Sequence, residues 1–174
     1  MSAEPLTAPT AVLPAGHWQL LTDASTASFA VANFGFRTVT GTIPLRAGGV
    51  LVDGSGAVTR VHAVLDLDGL ATGSWRRDAD LRKPHLLDID RHPELTFDAT
   101  SMVPAATGWL VDGRLSARGT SVSLPLAVAA SPVQDEIELH ATAVLDRRSL
   151  GIRAPRLVIG HVVSMSLVTR WRRS

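Results

Sequence analysis

The chain has 174 residues, a formal net charge of +1 and no cysteine. That length suits one domain and buries roughly 70% of the surface its unfolded form exposes, so a core is available without metals or disulfides. The missing thiol excludes disulfide staples, cysteine nucleophiles and Cys-based zinc sites, and the near-zero charge, with arginine pairs 76/77, 147/148 and 172/173 far apart, argues against nucleic acid as a partner.

The opening MSAEPLTAPTAVLPAG lacks a basic stretch ahead of an apolar one and holds three prolines before position 15, which does not fit a secretory signal. No run approaches the ~20 apolar residues of a membrane helix. The expectation is a cytoplasmic protein without an integral membrane segment, disordered or loosely attached over residues 1–15 and forming one domain over 16–174.

From there the apolar residues recur every second position, the period of a strand with one face in a core. Phe29 and Val31, then Val39 and Ile43, begin the series. Val61, Ala63, Leu65 and Leu67 continue it, opposite Arg60, His62, Asp66 and Asp68. Leu95, Phe97 and Ala99 follow, then Trp109, Val111 and Leu115, and then Val122, Leu124, Leu126 and Val128. Ile137, Leu139, Ala141, Ala143 and Leu145 alternate with Glu136, Glu138, His140, Thr142 and Asp146, and Val163, Met165, Leu167 and Trp171 end the series. Polar opposite faces mark half-solvated antiparallel strands. Turn chemistry separates them at Ala47-Gly48-Gly49, Asp53-Gly54-Ser55-Gly56, Thr107-Gly108, Arg118-Gly119-Thr120 and Ser131-Pro132.

One segment departs from this period. Ser74 is placed to cap a short helix over Trp75 to Arg82 that Pro84 ends, with Asp78 and Arg82 spaced for an i,i+4 ion pair. Two turns of helix do not persist alone in water, so this helix must dock on the sheet. The fold expected is all-β and antiparallel, with about eight to ten strands and one short helix, avoiding exposed edges either as an antiparallel barrel of about eight strands or by pairing two sheets. Small residues on its inner face, Ala63, Ala99, Ala117, Ala141 and Ala143, leave room for a dry cavity, although larger residues and the helix could equally fill it.

Candidate chemistry is sparse. Asp88, Asp90, His92 and Glu94 alternate, but His92 and Pro93 break the calcium-loop pattern, and no histidine pair has zinc spacing. Gly54-Ser55-Gly56 lacks the nucleophile-elbow spacing and reads as a turn. His62 and His140 sit among charges on outer faces. No catalytic residue, metal or cofactor is expected.

The run RRDADLRKPHLLDIDRHPELTF, residues 76–97, resembles a signature of the YceI-like, polyisoprenoid-binding family, R-D-x-H-L-x-x-x-D-F-F-D-x-x-x-x-P-x-x-x-F. Arg77, Asp78, Leu81, Leu87, Asp88, Pro93 and Phe97 match in register, with Asp80 in place of the usual histidine. Gly113-Arg114-Leu115 through Arg118-Gly119-Thr120 to Val122-Ser123-Leu124-Pro125 is similar to a second family segment. Leu145-Asp146-Arg147-Arg148-Ser149-Leu150-Gly151-Ile152 is similar to a third, and Trp18-Gln19-Leu20, Phe29-Ala30-Val31 and Phe34-Gly35-Phe36 fall in order. The resemblance implies an extended lipocalin-like barrel that binds, stores or carries a long-chain isoprenoid, such as a polyprenyl phosphate or a quinone, or a similar apolar lipid, without catalysis. On this basis the candidate ligand-binding residues are Phe29, Val31, Asn33, Phe34, Phe36, Leu65, Leu67, Leu81, Phe97, Leu139 and Met165. The alternatives are a domain whose core is filled, serving structure or interaction, and a barrel isomerase or cyclase. An edge strand, or the apolar residues around Trp109, offers a surface for a homodimer. Where the family usually carries L-D-x-x-H-S and V-[RK]-H, this chain has Leu20-Leu21-Thr22-Asp23-Ala24-Ser25 and Val31-Ala32-Asn33. If the replaced groups orient a headgroup in typical members, their loss alters the ligand or removes it.

Overall fold

The computed structural model describes residues 13–106, 108–154 and 159–174. Their strands are β1 (Gly16–Leu20), β2 (Thr26–Asn33), β3 (Arg37–Ile43), β4 (Leu45–Val52), β5 (Val58–Asp66), β6 (Glu94–Ala99), β7 (Val103–Ala105), β8 (Gly108–Ala117), β9 (Thr120–Val133), β10 (Glu136–Asp146) and β11 (Ile159–Arg173), with one α-helix, α1 (Trp75–Leu81). All pairings are antiparallel. Hydrogen bonding runs β1-β4-β5-β6-β8-β9-β10-β11 and returns to β1, where Trp18 faces Arg173 and Leu20 faces Trp171, so eight strands close a barrel.

The closure has an unusual join. The 15-residue β11 pairs through its last residues with β1 and through its first half with β2, where Met165 faces Phe29. Strands β1 and β2 thus act as one bent partner, interrupted by the 3-10 turn Thr22–Ala24. The β2–β3 hairpin extends past the closed ring, and β3 is held on its outer side by a single bridge, Thr42 to Ala71. Beside this bridge a pocket lies between the β2–β3 hairpin and α1.

The expected alternation is seen strand by strand. Along β8, Trp109, Val111, Gly113, Leu115 and Ala117 are buried, and along β10 Leu139, Ala141, Ala143 and Leu145 are buried. These inward rows form one core, closed at the terminal end by Leu13, Trp18 and Trp171. Residues 13–15 are therefore not loosely attached. Leu13 is buried, the Trp18 indole donates to the Pro14 carbonyl at 2.9 Å and Arg173 donates to the Ala15 carbonyl. The remainder of the N-terminal segment, residues 1–12, lies outside the described residues.

Three sequence expectations need correction. Ala47-Gly48-Gly49 is not a turn but the middle of β4, because a side chain at Gly48 would meet the Trp171 ring and Leu20 at 3.0–3.1 Å. Those glycines admit a neighbour, as strand glycines often do. Ser131-Pro132 stays within β9, and the turn falls two residues later, where Gln134 takes a positive φ of 57°. Arg82 does not pair with Asp78. It pairs with Asp68 at 2.8 Å and Asp90 at 2.6 Å, while Asp78 accepts from the Thr72 hydroxyl and backbone N–H. The Asp53–Gly56 and Arg118-Gly119 turns and the Ser74 cap form as expected, the last with Ser74 Oγ accepting from the Arg77 N–H at 3.4 Å. Of the Thr107-Gly108 turn, Thr107 is outside the described residues. Among the described residues no helix is long and apolar enough to cross a membrane.

Candidate functional site: an apolar lumen with a polar mouth

The inward rows do not fill the barrel completely. Two cavities remain along its axis. The deeper one, about 80 Å³, is lined by Leu20, Leu65, Phe97, Val111, Leu115, Leu139, Ala141, Ala143, Trp171 and neighbours, with Thr169 the only polar one among the described residues. That hydroxyl is already committed, donating to the Leu139 carbonyl at 3.1 Å and accepting from the Trp171 indole at 2.9 Å. The second cavity, about 120 Å³, lies toward α1 between Phe29, Val31, Ile43, Leu67, Leu81, Leu87, Leu145 and Ile159. Leu95 and Met165 line both cavities and form the septum between them. Apolar walls with no free polar partner leave such spaces dry.

Beyond the second cavity the lumen opens into a mouth of about 500 Å³ between the β2–β3 hairpin and α1. Phe29, Val31, Leu81, Leu86, Ala154 and Ile159 belong to both spaces, so the mouth leads into the apolar interior. Its rim is polar: Asn33, Thr72, Ser74, Arg76, Arg77, Asp80, Lys83 and His85. Arg77 is held by Thr72, donating from Nε to its hydroxyl and from Nη2 to its carbonyl, both at 2.8 Å. Lys83 pairs with Asp80 at 2.7 Å, and the Arg76 guanidinium lies 5.4 Å from the Trp75 ring centroid.

The structure brings ten of the eleven candidate residues to this axis. Leu65, Phe97 and Leu139 line the deep cavity, Leu67 the second, Met165 both, Phe29, Val31 and Leu81 the second cavity and the mouth, and Asn33 and Phe34 the mouth alone. Phe36 is the exception. It is 79% exposed at the hairpin tip, under the Arg37 guanidinium, because the turn at Phe34-Gly35 swings it outward. The carboxylates of the alternating run also diverge: Asp88 lies toward His92 at 3.9 Å, Asp90 pairs with Arg82 and Glu94 with Arg46. Trp109 points inward and is buried, so it is no pairing surface. The outward apolar residues nearby are Leu110, Val103 and Val144.

Sequence reasoning missed two features. The first is Arg147, which lines the second cavity yet is buried without a carboxylate partner among the described residues. Its guanidinium donates to the carbonyls of Gly160, Ile152, Ala154 and Ile159 at 2.8–3.1 Å, and burial pulls its pKa below the ordinary arginine value. It ties Ile152 and Ala154 to Ile159 and Gly160 beside the second cavity. The adjacent Asp146 was legible as a strand end but not as a clamp. Hydrogen bonds from the Arg148 guanidinium and backbone hold its carboxyl down at about 2. The second feature is a pair of glycines facing aromatic rings. At Gly113 a Cβ would fall 2.1 Å from Phe97 Cζ, and at Gly41 it would fall 2.4 Å from Phe29 Cζ. The tip of each ring occupies the space that a side chain at its glycine would take. The signal was present only as two glycines in strands of otherwise regular alternation.

A closed eight-stranded antiparallel barrel with a dry axial lumen and one short helix over its mouth defines a lipocalin-like architecture. The YceI-like domain model matches residues 18–170, and the chain belongs to that family. Solved structures agree on the fold. The Burkholderia cenocepacia protein BcnA superposes with a TM-score of 0.74 at 13% identity, over 87% of this chain and 98% of that one. A polyisoprenoid-binding domain from Saccharophagus degradans, implicated in plant cell wall breakdown, gives 0.69 at 16% identity, over 90% and 98%. The Campylobacter jejuni YceI protein gives 0.57 at 11%, over 75% and 79%. A search of curated proteins finds no match.

Proposed function

We propose that this domain binds an isoprenoid or similar apolar lipid in the barrel lumen and stores or carries it without altering it. The observation that carries this reading is a lumen lined by apolar side chains that opens through one polar mouth. Such a space favours a ligand with a water-excluded tail and a polar end, and the arginines and lysine of the rim suit a phosphate or carbonyl headgroup. The ten candidate residues on the axis are the proposed contacts. Among the described residues, Arg147 is the one titratable side chain lining the two cavities, which favours binding over proton transfer. The Saccharophagus domain described as polyisoprenoid-binding shares this fold.

Energetics temper the affinity. An engineered cavity of 150 Å³ takes one benzene, so the two cavities, together about 200 Å³, accept roughly eight carbons. At about 0.8 kcal/mol per methylene this bounds tail burial near 6 kcal/mol, short of the ~8 kcal/mol of micromolar binding. A tail of ~25 carbons, worth up to ~20 kcal/mol if wholly buried, exceeds these two cavities and would extend into the mouth of about 500 Å³, whose wall also carries Phe34, Val39 and Leu81. Contacts at the mouth, with the tail and with the headgroup, must supply the rest.

Organic extraction of the purified protein followed by mass spectrometry tests the reading. It expects a co-purifying prenyl lipid, or saturable uptake of added prenyl lipid. Neither, against an unrelated protein as control, leaves the second reading, a filled-core interaction domain, which the rings of Phe29, Phe97 and Trp171 packed into the lumen favour. The outward Leu110, Val103 and Val144 give two copies a surface to pair on. Sedimentation velocity over rising concentration tests that, and a monomer throughout refutes it.

A further inference from the structure

The aromatic residues of this chain divide into two sets, and the exposed set surrounds the mouth. We infer that the mouth docks on an anionic lipid bilayer through Phe34, Phe36 and Trp75 together with Arg37 and Arg76, so that an apolar tail passes from membrane to lumen without crossing water. The inference rests on the lipid-binding reading and adds the surface from which the lipid is taken.

The chain has four tryptophans, four phenylalanines and no tyrosine. Trp18, Trp109, Trp171 and Phe97 are buried, and Phe29 packs against the core. The other three are more than half exposed: Phe34 at 55%, Phe36 at 79% and Trp75 at 76%. All three stand beside the mouth, on its two sides. Phe34 lines it from the β2–β3 hairpin, with Phe36 two residues on, and Trp75 lies between the mouth residues Ser74 and Arg76 at the start of α1.

The cations sort in the same way. Arg82 is held by Asp68 and Asp90, Lys83 by Asp80 and Arg77 by Thr72. At the closed end of the barrel Arg170 pairs with Glu138 and Arg172 with Glu136. Arg37 and Arg76 have no carboxylate partner among the described residues. Each lies instead against an exposed ring, 5.6 Å from the Phe36 centroid and 5.4 Å from the Trp75 centroid. An aromatic ring with a guanidinium beside it suits the boundary between acyl chains and phosphates, where the ring is buried and the cation meets an anionic headgroup. A tail that leaves a bilayer through water exposes every methylene on the way. A mouth pressed onto the bilayer removes that barrier.

The test uses the purified full chain, stripped of lipid, and vesicles free of prenyl lipid, one set of phosphatidylcholine and one in which about a third is phosphatidylglycerol. Flotation measures binding, and acrylamide quenching reports Trp75, the exposed tryptophan. Wild type is expected to bind the anionic vesicles at least tenfold more tightly than the neutral ones and to lose quenching as it binds. Trp75→Ala and Phe36→Ser, at exposed positions the core does not use, should each weaken binding at least threefold. Arg37→Gln and Arg76→Gln should each weaken it about fivefold, the worth of one cation at an anionic surface. Val144→Ser, at a 65% exposed position on the outer wall, should stay within twofold. Arginine variants that bind as wild type does, or a Val144→Ser loss as large as that of Trp75→Ala, would overturn the inference. Absent vesicle binding with saturable uptake of prenyl lipid from dilute detergent overturns it too, and leaves the lipid-binding reading standing. Vesicle binding without any uptake of prenyl lipid overturns that reading, and with it the transfer inferred here.

Discussion

Replacing Gly113 by alanine tests how the lumen is kept open. A Cβ at this position would lie 2.1, 2.5 and 2.9 Å from three ring carbons of Phe97, where ordinary contact begins near 3.4 Å. The ring must move by more than an ångström, and β8 and β6 are neighbours in the sheet, with Phe97 facing Leu115, so the wall cannot simply give way. The direction left is inward, into the deep cavity of about 80 Å³. Overpacking of this kind costs about 1–3 kcal/mol, offset by about 0.5–1 kcal/mol because alanine is a better strand residue than glycine. The net expectation is a loss of about 1–2 kcal/mol, or a Tm lower by about 2–8 °C at the 2–4 °C per kcal/mol typical of this chain length. Phe97→Leu alone costs about 1–1.5 kcal/mol for a smaller apolar side chain. In the double variant the clash disappears, so urea unfolding of all four proteins should give a favourable coupling of at least ~1 kcal/mol. The single Gly113→Ala variant should also bind prenyl chains more weakly, because the displaced ring occupies the deep compartment. Additive effects, or a single variant as stable as wild type with undiminished lipid binding, would show that Phe97 does not owe its position to Gly113.

Three further outcomes follow from other parts of the molecule. Arg147→Met should cost at least ~3 kcal/mol, measured by urea unfolding, because four carbonyls lose a charged donor and several stay buried. Arg147→Lys should recover only a part, since an ammonium cannot reproduce the planar fork, and full recovery would refute the hydrogen-bond account. Asp146, held at about 2 against an ordinary value of 3.8, contributes stability that is present above pH ~4 and lost as pH falls toward 2. The gap in urea midpoint between wild type and Asp146→Asn should therefore be widest above pH ~4 and close by pH ~2, and a gap independent of pH would contradict this. Asp78→Ala removes the acceptor of Thr72 and unfastens the start of α1. Amide exchange in Trp75–Leu81 should quicken at least tenfold while β8 to β10 keep their protection, and unchanged exchange would show that the helix is held otherwise.

Which residues face the core is legible along the chain. With a side-chain period of two, each alternating run from Val61 to Trp171 has one apolar face, and a slip of one residue would turn that face to water. The same pattern, with Ser74 and Pro84 bracketing a short helix, fixed the architecture, and the motif runs fixed the family. What the sequence could not show was how much of the lumen stays empty. That depends on how Phe97 and Phe29 lie across glycines from other strands, Gly113 and Gly41, on Met165 meeting Leu95 from the opposite wall, and on Trp171 packing against Gly48. Local composition reads the glycines in β4 as a turn for the same reason, since it cannot distinguish a bend from a close approach. The family resemblance puts Phe36 among the lining residues, but the positive φ of Phe34 and Gly35 makes a turn there and directs it outward. Alternation is a local property of the backbone and can be read along the chain. Cavity volume is the small remainder after side chains distant in sequence have been packed together, and only their arrangement in space decides it.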